Sequence, residues 1–180
     1  MSASYPSPFH LSLIVDGFGT KEPCHWSLAL HPPRSETCTL LQVLPDPDLL
    51  PRKSYTYSRR ENVKIFHRPD TPLPSQGRIL LAKLSTRQYR QLIHIIQKEP
   101  APKNEGNGKE ETCQDWCVNA CINLEVDEFV EPGTSEWVYT LMGKSASEMR
   151  REAMKRGALK GGTVVWFDAV DEKGRARSMC

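Results

Sequence analysis

The chain has 180 residues, 38% hydrophobic and 26% charged, and Lys+Arg 24 against Asp+Glu 22 leaves a formal charge of +2. That length accommodates one ordinary core, the composition is not that of a disordered chain, and the small net charge excludes a strongly cationic nucleic-acid coat. Apolar runs such as Leu11–Val15 and Ile79–Ala82 are too short to cross a bilayer, and no basic segment followed by an apolar stretch opens the chain, so a soluble, cytoplasmic protein without a membrane partner is expected.

The first half of the chain has a period of two. Phe9–Val15 and Cys24–His31 are predicted strands, the second with Trp26, Leu28 and Leu30 on one face. Pro32-Pro33-Arg34-Ser35 is a turn, and Thr37–Val43 returns as a third strand of an antiparallel meander that Pro45, Pro47 and Pro51 end. Val63–His67 and Ile79–Leu84 are predicted as two further strands, separated by a Pro-rich loop over Arg68–Gln76.

From Ser85 the period becomes helical. Ser85 is a predicted N-cap, Tyr89, Leu92, Ile93 and Ile96 form one apolar stripe, and Pro100 ends the helix. The polar stretch Ala101–Glu111 is expected as a flexible surface loop. Helices are then predicted over Cys113–Leu124, Thr134–Met142 and Ser145–Arg156, the last with Gly157 at C′, before a strand over Thr163–Ala169 and a charged tail, Asp171–Cys180. Strands followed by helices and one closing strand make an α+β fold. It is expected as a single domain, 1–180, strand-rich over 9–84 and helix-rich over 85–160, with an antiparallel sheet packed against the helices.

Six cysteines in a chain without a visible export signal are expected to be thiols. The most informative one lies in Thr112-Cys113-Gln114-Asp115-Trp116, where Thr112 and Asp115 fit a capping box and make Cys113 the first helical residue. At that position the unpaired backbone N–H groups and the positive helix end favour thiolate, the form that attacks carbonyl carbon. The same amides are candidates to hold an oxyanion. His25, on the second strand, is the best candidate base. The competing reading is structural, because Cys113, Cys117, Ala120, Cys121 and Leu124 also form one helical stripe; Cys117 and Cys121 are expected in the core. Cys-x3-Cys-x3-Cys on one helix fits neither zinc nor iron–sulfur ligation, so no metal and no other cofactor is expected.

Cys24-His25-Trp26-Ser27-Leu28-Ala29-Leu30 followed far downstream by Thr112-Cys113-Gln114-Asp115-Trp116 resembles the circularly permuted papain-like proteins. That group includes the permuted NlpC-type peptidases and the lecithin:retinol acyltransferase-like proteins, in which His precedes Cys. The likeness spreads over residues 9–125. With the Arg-Ile-Leu-Leu strand at 78–81, the layout is also similar to small fungal proteins, some of which are arginine-containing cyclodipeptide synthases. The resemblance implies Cys113 as nucleophile, His25 as general base and a polar third residue on the next strand, here Gln42. It further implies substrate contacts near Gln114, Asp115, Trp116 and Trp26. The acyltransferase branch often has a second His at the third position, and this chain does not. His31 shares His25's strand parity but lies roughly 20 Å along an extended chain, outside the site.

The small net charge conceals a segregation. Between Glu110 and Gly143 there is no Lys or Arg, while Glu110, Glu111, Asp115, Glu125, Asp127, Glu128, Glu131 and Glu136 are acidic. From Lys144 to Lys160 the balance reverses. Carboxylates near the nucleophile suit a guanidinium substrate, and Arg150, Arg151, Lys155 and Arg156 suit phosphates, so an aminoacyl-tRNA is the expected partner of a synthase. The plain alternative for the basic helix is a solvated face. With water as acceptor the same Cys–His pair would serve a peptidase or amidase acting on peptide or amide substrates. With an idle Cys113 the fold would be a non-catalytic binding module.

Overall fold

The computed structural model describes residues 9–17, 24–33, 35–49, 54–65, 75–104, 108, 110–160 and 164–166. Within them the chain is α+β. Its strands are β1 (Phe9–Asp16), β2 (His25–His31), β3 (Thr37–Pro45), β4 (Tyr55–Lys64), β5 (Ser75–Leu84) and β6 (Val164–Trp166). Its helices are α1 (Thr86–Lys98), α2 (Cys113–Val126), α3 (Thr134–Tyr139) and α4 (Ala146–Lys160). The strands form one sheet in the order β4-β3-β2-β1-β5-β6, with every neighbouring pair antiparallel. The first three strands are the expected meander.

Alternation assigns the two faces of the sheet. Leu11, Leu13 and Val15 of β1, Trp26, Leu28 and Leu30 of β2, and Leu41 and Val43 of β3 are buried with the helices. Leu92, Ile93 and Ile96 of α1 and Trp116, Cys117, Ala120, Cys121 and Leu124 of α2 close that core. Each large aliphatic or aromatic side chain removed from water there contributes about 1.5–3 kcal/mol. A smaller cluster (Ile14, Ala29, Cys38, Leu40, Val63 and Ile65) occupies the opposite face. α2 packs on β2 and β3 and is flanked by α1 and α3, which carries the candidate nucleophile to the end of the sheet where β2 begins.

Several expected boundaries change. Of the strand placed at Val63–His67, Val63 and Lys64 are the end of a longer one, β4, which starts at Tyr55 and pairs with β3 along its length, while Phe66 and His67 lie outside the described residues. It is an edge strand with mostly exposed polar side chains, so no apolar alternation marks it. β5 begins at Ser75, so Gln76 is strand rather than loop; its buried amide donates to the Gly17 carbonyl at 2.6 Å. α3 stops at Tyr139 rather than Met142, and the turn that follows brings Gly143 to φ 72°, a conformation that disfavours any side chain. α4 continues through Gly157 to Lys160, since a glycine inside a helix costs only about 1 kcal/mol and the residues after it are good helix formers. The Ala101–Glu111 loop is tied at its base, where Asn104 donates to the Glu111 carbonyl and accepts from its N–H, both at 2.9 Å. Most of the Arg68–Gln76 loop, the ends of the expected closing strand and the whole tail, 171–180, lie outside the described residues.

Candidate active site

The N-terminus of α2 is built by local chemistry. Thr112 Oγ1 accepts from the Gln114 N–H at 3.2 Å, and Asp115 Oδ2 accepts from the Thr112 N–H at 2.8 Å, so the capping box closes. Cys113 is therefore the first residue of a 14-residue helix, at the positive end of its dipole. Gln114 fixes the helix against the rest of the fold. Its Nε2 donates to the Cys24 carbonyl at 2.8 Å and its Oε1 accepts from the Gly143 N–H at 2.9 Å.

β2 begins beside this helix end, and His25 is its first residue. Gln42 of β3 hydrogen-bonds the His25 imidazole, with His25 Nε2 3.2 Å from Gln42 Oε1, and the Cys113 thiol is close enough to the ring to act on its protonation. An amide oxygen only accepts, so His25 Nε2 carries a proton, and Nδ1 is the ring nitrogen available to the thiol. Burial alone would lower the His25 pKa. The neighbouring Cys113 thiol, the Asp16 carboxylate and the Gln42 hydrogen bond outweigh it, and the net result is a rise above the ordinary 6.5. Cys113, His25 and Gln42, from three separate elements, are thus in one constellation.

The other expected site residues are placed differently. Trp26 and Trp116 are 0% exposed, so neither indole offers a surface to a substrate. Trp116 instead packs against Tyr57, with ring centroids 6.0 Å apart, and donates to the Glu99 carbonyl at 3.3 Å. Gln114 is 5% exposed with both ends of its amide engaged, and Asp115 is held in the cap. These four side chains build the wall behind the nucleophile rather than the surface in front of it.

The acidic stretch is likewise partly committed. Glu125 accepts from the Gly133 and Ser135 N–H groups at 2.7 and 2.8 Å, capping α3 in place of the Gly133 side chain that does not exist. On α4, the Arg156 guanidinium lies 4.2 Å from the centroid of Trp137, and Lys155 pairs with Glu152 at 3.1 Å. Arg156 is therefore a packing residue, whereas Arg151 is exposed on the same helix and Arg150 is half-buried.

Of the remaining thiols, Cys117 and Cys121 are 0% exposed core residues, as their helical spacing implied. Burial pushes the Cys121 thiol up to about 12 and the Cys117 thiol well above its ordinary value. Cys24 is also pushed up to about 12, by burial first and then by Asp16 and Cys113. None of the five described cysteines forms a disulfide. Among the described residues no group of three or more His, Cys, Asp or Glu side chains could hold a metal ion, and no helix is long and apolar enough to cross a membrane.

One residue that sequence reasoning missed belongs to the constellation. Asp16, the last residue of β1, is 1% exposed and is the direct cross-strand partner of His25. An aspartate followed by Gly17 reads as a turn in the sequence; only the β1–β2 register puts it beside the imidazole. No protein-family model, curated protein or solved structure matches this chain.

Proposed function

We propose that this chain is a thiol-dependent acyl-transfer enzyme of the permuted papain-like type, with Cys113 as nucleophile, His25 as general base and Gln42 as the residue that orients the imidazole. The observation that carries this reading is the double engagement of His25, which meets the Cys113 thiol on one side and the Gln42 amide on the other. His25 takes the Cys113 proton as the sulfur–carbon bond forms. It returns that proton to the leaving oxygen as the acyl–oxygen bond breaks, leaving an acyl thioester. The cap uses the Gln114 N–H, so the Cys113 N–H is the first-turn amide assigned to the oxyanion.

The most specific form of the reading is an arginine-containing cyclodipeptide synthase. An aminoacyl-tRNA supplies the acyl group, a second aminoacyl group aminolyses the thioester, and ring closure gives a diketopiperazine. Arg151 and Arg150 of α4 are the residues assigned to tRNA phosphates, with Lys155 less strongly and Arg156 not at all, since its guanidinium lies over Trp137.

The test is incubation of the protein with charged tRNA and a search for cyclic dipeptides by mass, together with iodoacetamide labelling of each thiol between pH 5 and 9. The reading expects cyclic products lost in Cys113→Ala, and Cys113 labelled faster than the other cysteines. Cyclic products unaffected by Cys113→Ala would remove the nucleophile assignment. Hydrolysis of amide or peptide substrates, without cyclic products, would move the protein to the peptidase branch.

A further inference from the structure

A buried carboxylate opposite the imidazole carries an inference that rests on the Cys113–His25 reading and extends it. Directly opposed residues of an antiparallel pair have Cβ atoms about 4.5–5.5 Å apart, and Asp16 and His25 are such a pair. Asp16 is 1% exposed, so little water lies between the two groups to screen them. The backbone around Asp16 is held on its other side as well. The β1–β5 register shifts between Val15 and Asp16, and the buried Gln76 amide donates to the next carbonyl, that of Gly17. A Cβ at Gly17 would meet the Cys24 sulfur at 3.4 Å, so the chain just after β1 is packed against the residue that leads into β2.

We propose that Asp16 is a positioning residue of the catalytic pair: its ionised carboxylate keeps His25 protonated after the imidazole has taken the Cys113 proton. The chemical consequence concerns the leaving group. A thiolate beside a neutral imidazole can attack, but the alkoxide expelled from an aminoacyl ester must receive a proton, and His25 is the group that delivers it. A carboxylate one strand away stabilises the imidazolium during that interval without touching the substrate. The groups that face His25 are Cys113 of α2, Asp16 of β1 and Gln42 of β3, and Cys24, just before β2, adjoins Asp16 and Cys113. Among them Asp16 alone is a carboxylate, and the raised His25 pKa has the sign that this placement requires.

The experiment is an imidazole titration by NMR on the whole chain, following the His25 Cε1–Hε1 signal from pH 5 to 9 in the unsubstituted protein, in Asp16→Asn, and in both again with Cys113→Ala. The expected result is a His25 midpoint above 6.5 that falls by about one pH unit, a tenfold change in the protonation constant, in Asp16→Asn. The fall should persist when Cys113 is already alanine. A purely structural Asp16 would lower stability and leave the midpoint in place, and that result overturns the proposal.

If Asp16→Asn does not fold, the Asp16 carboxyl carbon of the unsubstituted protein decides. A carboxylate ionised across the His25 transition and showing an inflection at its midpoint supports the role, whereas a carboxyl still protonated above pH 6 ends it. The two readings fail separately. Cyclic or hydrolytic products unaffected by Cys113→Ala remove the nucleophile and leave the Asp16 effect on the imidazole measurable, while an unmoved midpoint removes Asp16 and leaves the nucleophile.

Discussion

β2 carries a histidine at each end, and the two are driven in opposite directions by their neighbours. His25 meets a thiol, an amide oxygen and a cross-strand carboxylate, and its pKa lies above 6.5 although burial opposes this. His31 is 1% exposed, donates from Nδ1 to the Pro32 carbonyl at 2.9 Å and accepts at Nε2 from Ser12 Oγ at 3.0 Å. Burial is the largest influence on it and lowers its pKa to about 4; the Pro32 bond opposes this, and the Arg78 and His10 charges add to the fall. The strand is the same and both rings lie within the fold. Burial lowers the pKa of both rings; what separates them is their neighbours, a thiol, an amide oxygen and a carboxylate around His25 against the Arg78 and His10 charges near His31.

Three comparisons test contrasts of this kind. The largest effect is expected on catalysis. His25→Ala should slow acyl transfer about 10²–10⁴-fold, the ordinary worth of a general base, while His31→Gln should change the rate by no more than about threefold, since a loss at His31 no larger than that of one partly kept hydrogen bond reaches the site only through the strand. Equal losses in the two variants, measured as kcat/KM on one acyl donor, would erase the distinction.

The second effect is on acid stability, and the two histidines have opposite signs. His31 has a depressed folded pKa, so its contribution is complete above 6.5 and is lost as pH falls toward about 4, amounting to about 3 kcal/mol. His25 has a raised folded pKa, so its contribution is complete below 6.5 and is lost as pH rises through the folded midpoint. Urea unfolding at a series of pH values should therefore show a steep loss between pH 6.5 and 4 that His31→Gln flattens. A loss unchanged by that substitution would assign the acid sensitivity to other groups.

The smallest effect compares two helix starts. Ser85 and Gln88 close a capping box on α1, as Thr112 and Asp115 do on α2. Ser85→Ala and Thr112→Ala should each cost about 1 kcal/mol in denaturant unfolding. Thr112→Ala alone should also slow iodoacetamide labelling of Cys113, because it loosens the helix end that holds the sulfur. Equal labelling rates in the two variants would separate the cap from the thiol's reactivity.

The contrast between the histidines also shows how far the sequence could be read. The meander and the helices α1 and α2 with their caps follow from patterns that are local, namely alternation, helical spacing and a capping box, whereas the grouping of residues 25, 42 and 113 is an expectation drawn from the resemblance. β4 did not follow, because Tyr-Thr-Tyr-Ser-Arg-Arg-Glu is the sequence of an exposed edge whose pairing is set by β3. Asp16 did not follow because its neighbour is decided by register across two strands. The full burial of Trp26 and Trp116 is not legible in the sequence either. Trp26 follows His25 in a strand, so alternation turns it to the opposite face, and Trp116 lies nearly one turn along α2 from Cys113; both indoles are buried in the core.

Gln114 has a consequence for folding. Its side chain joins three segments that are far apart along the chain, reaching back 90 residues to Cys24 and forward 29 to Gly143. Such sequence-distant contacts form late, after the loops between them have closed. The surroundings of Cys113 are therefore completed only when the meander, α2 and the turn after α3 have all docked. A nascent or partly folded chain carries the sulfur without its partner base, so the time course of selective Cys113 labelling during refolding reports the last step of assembly rather than the first collapse.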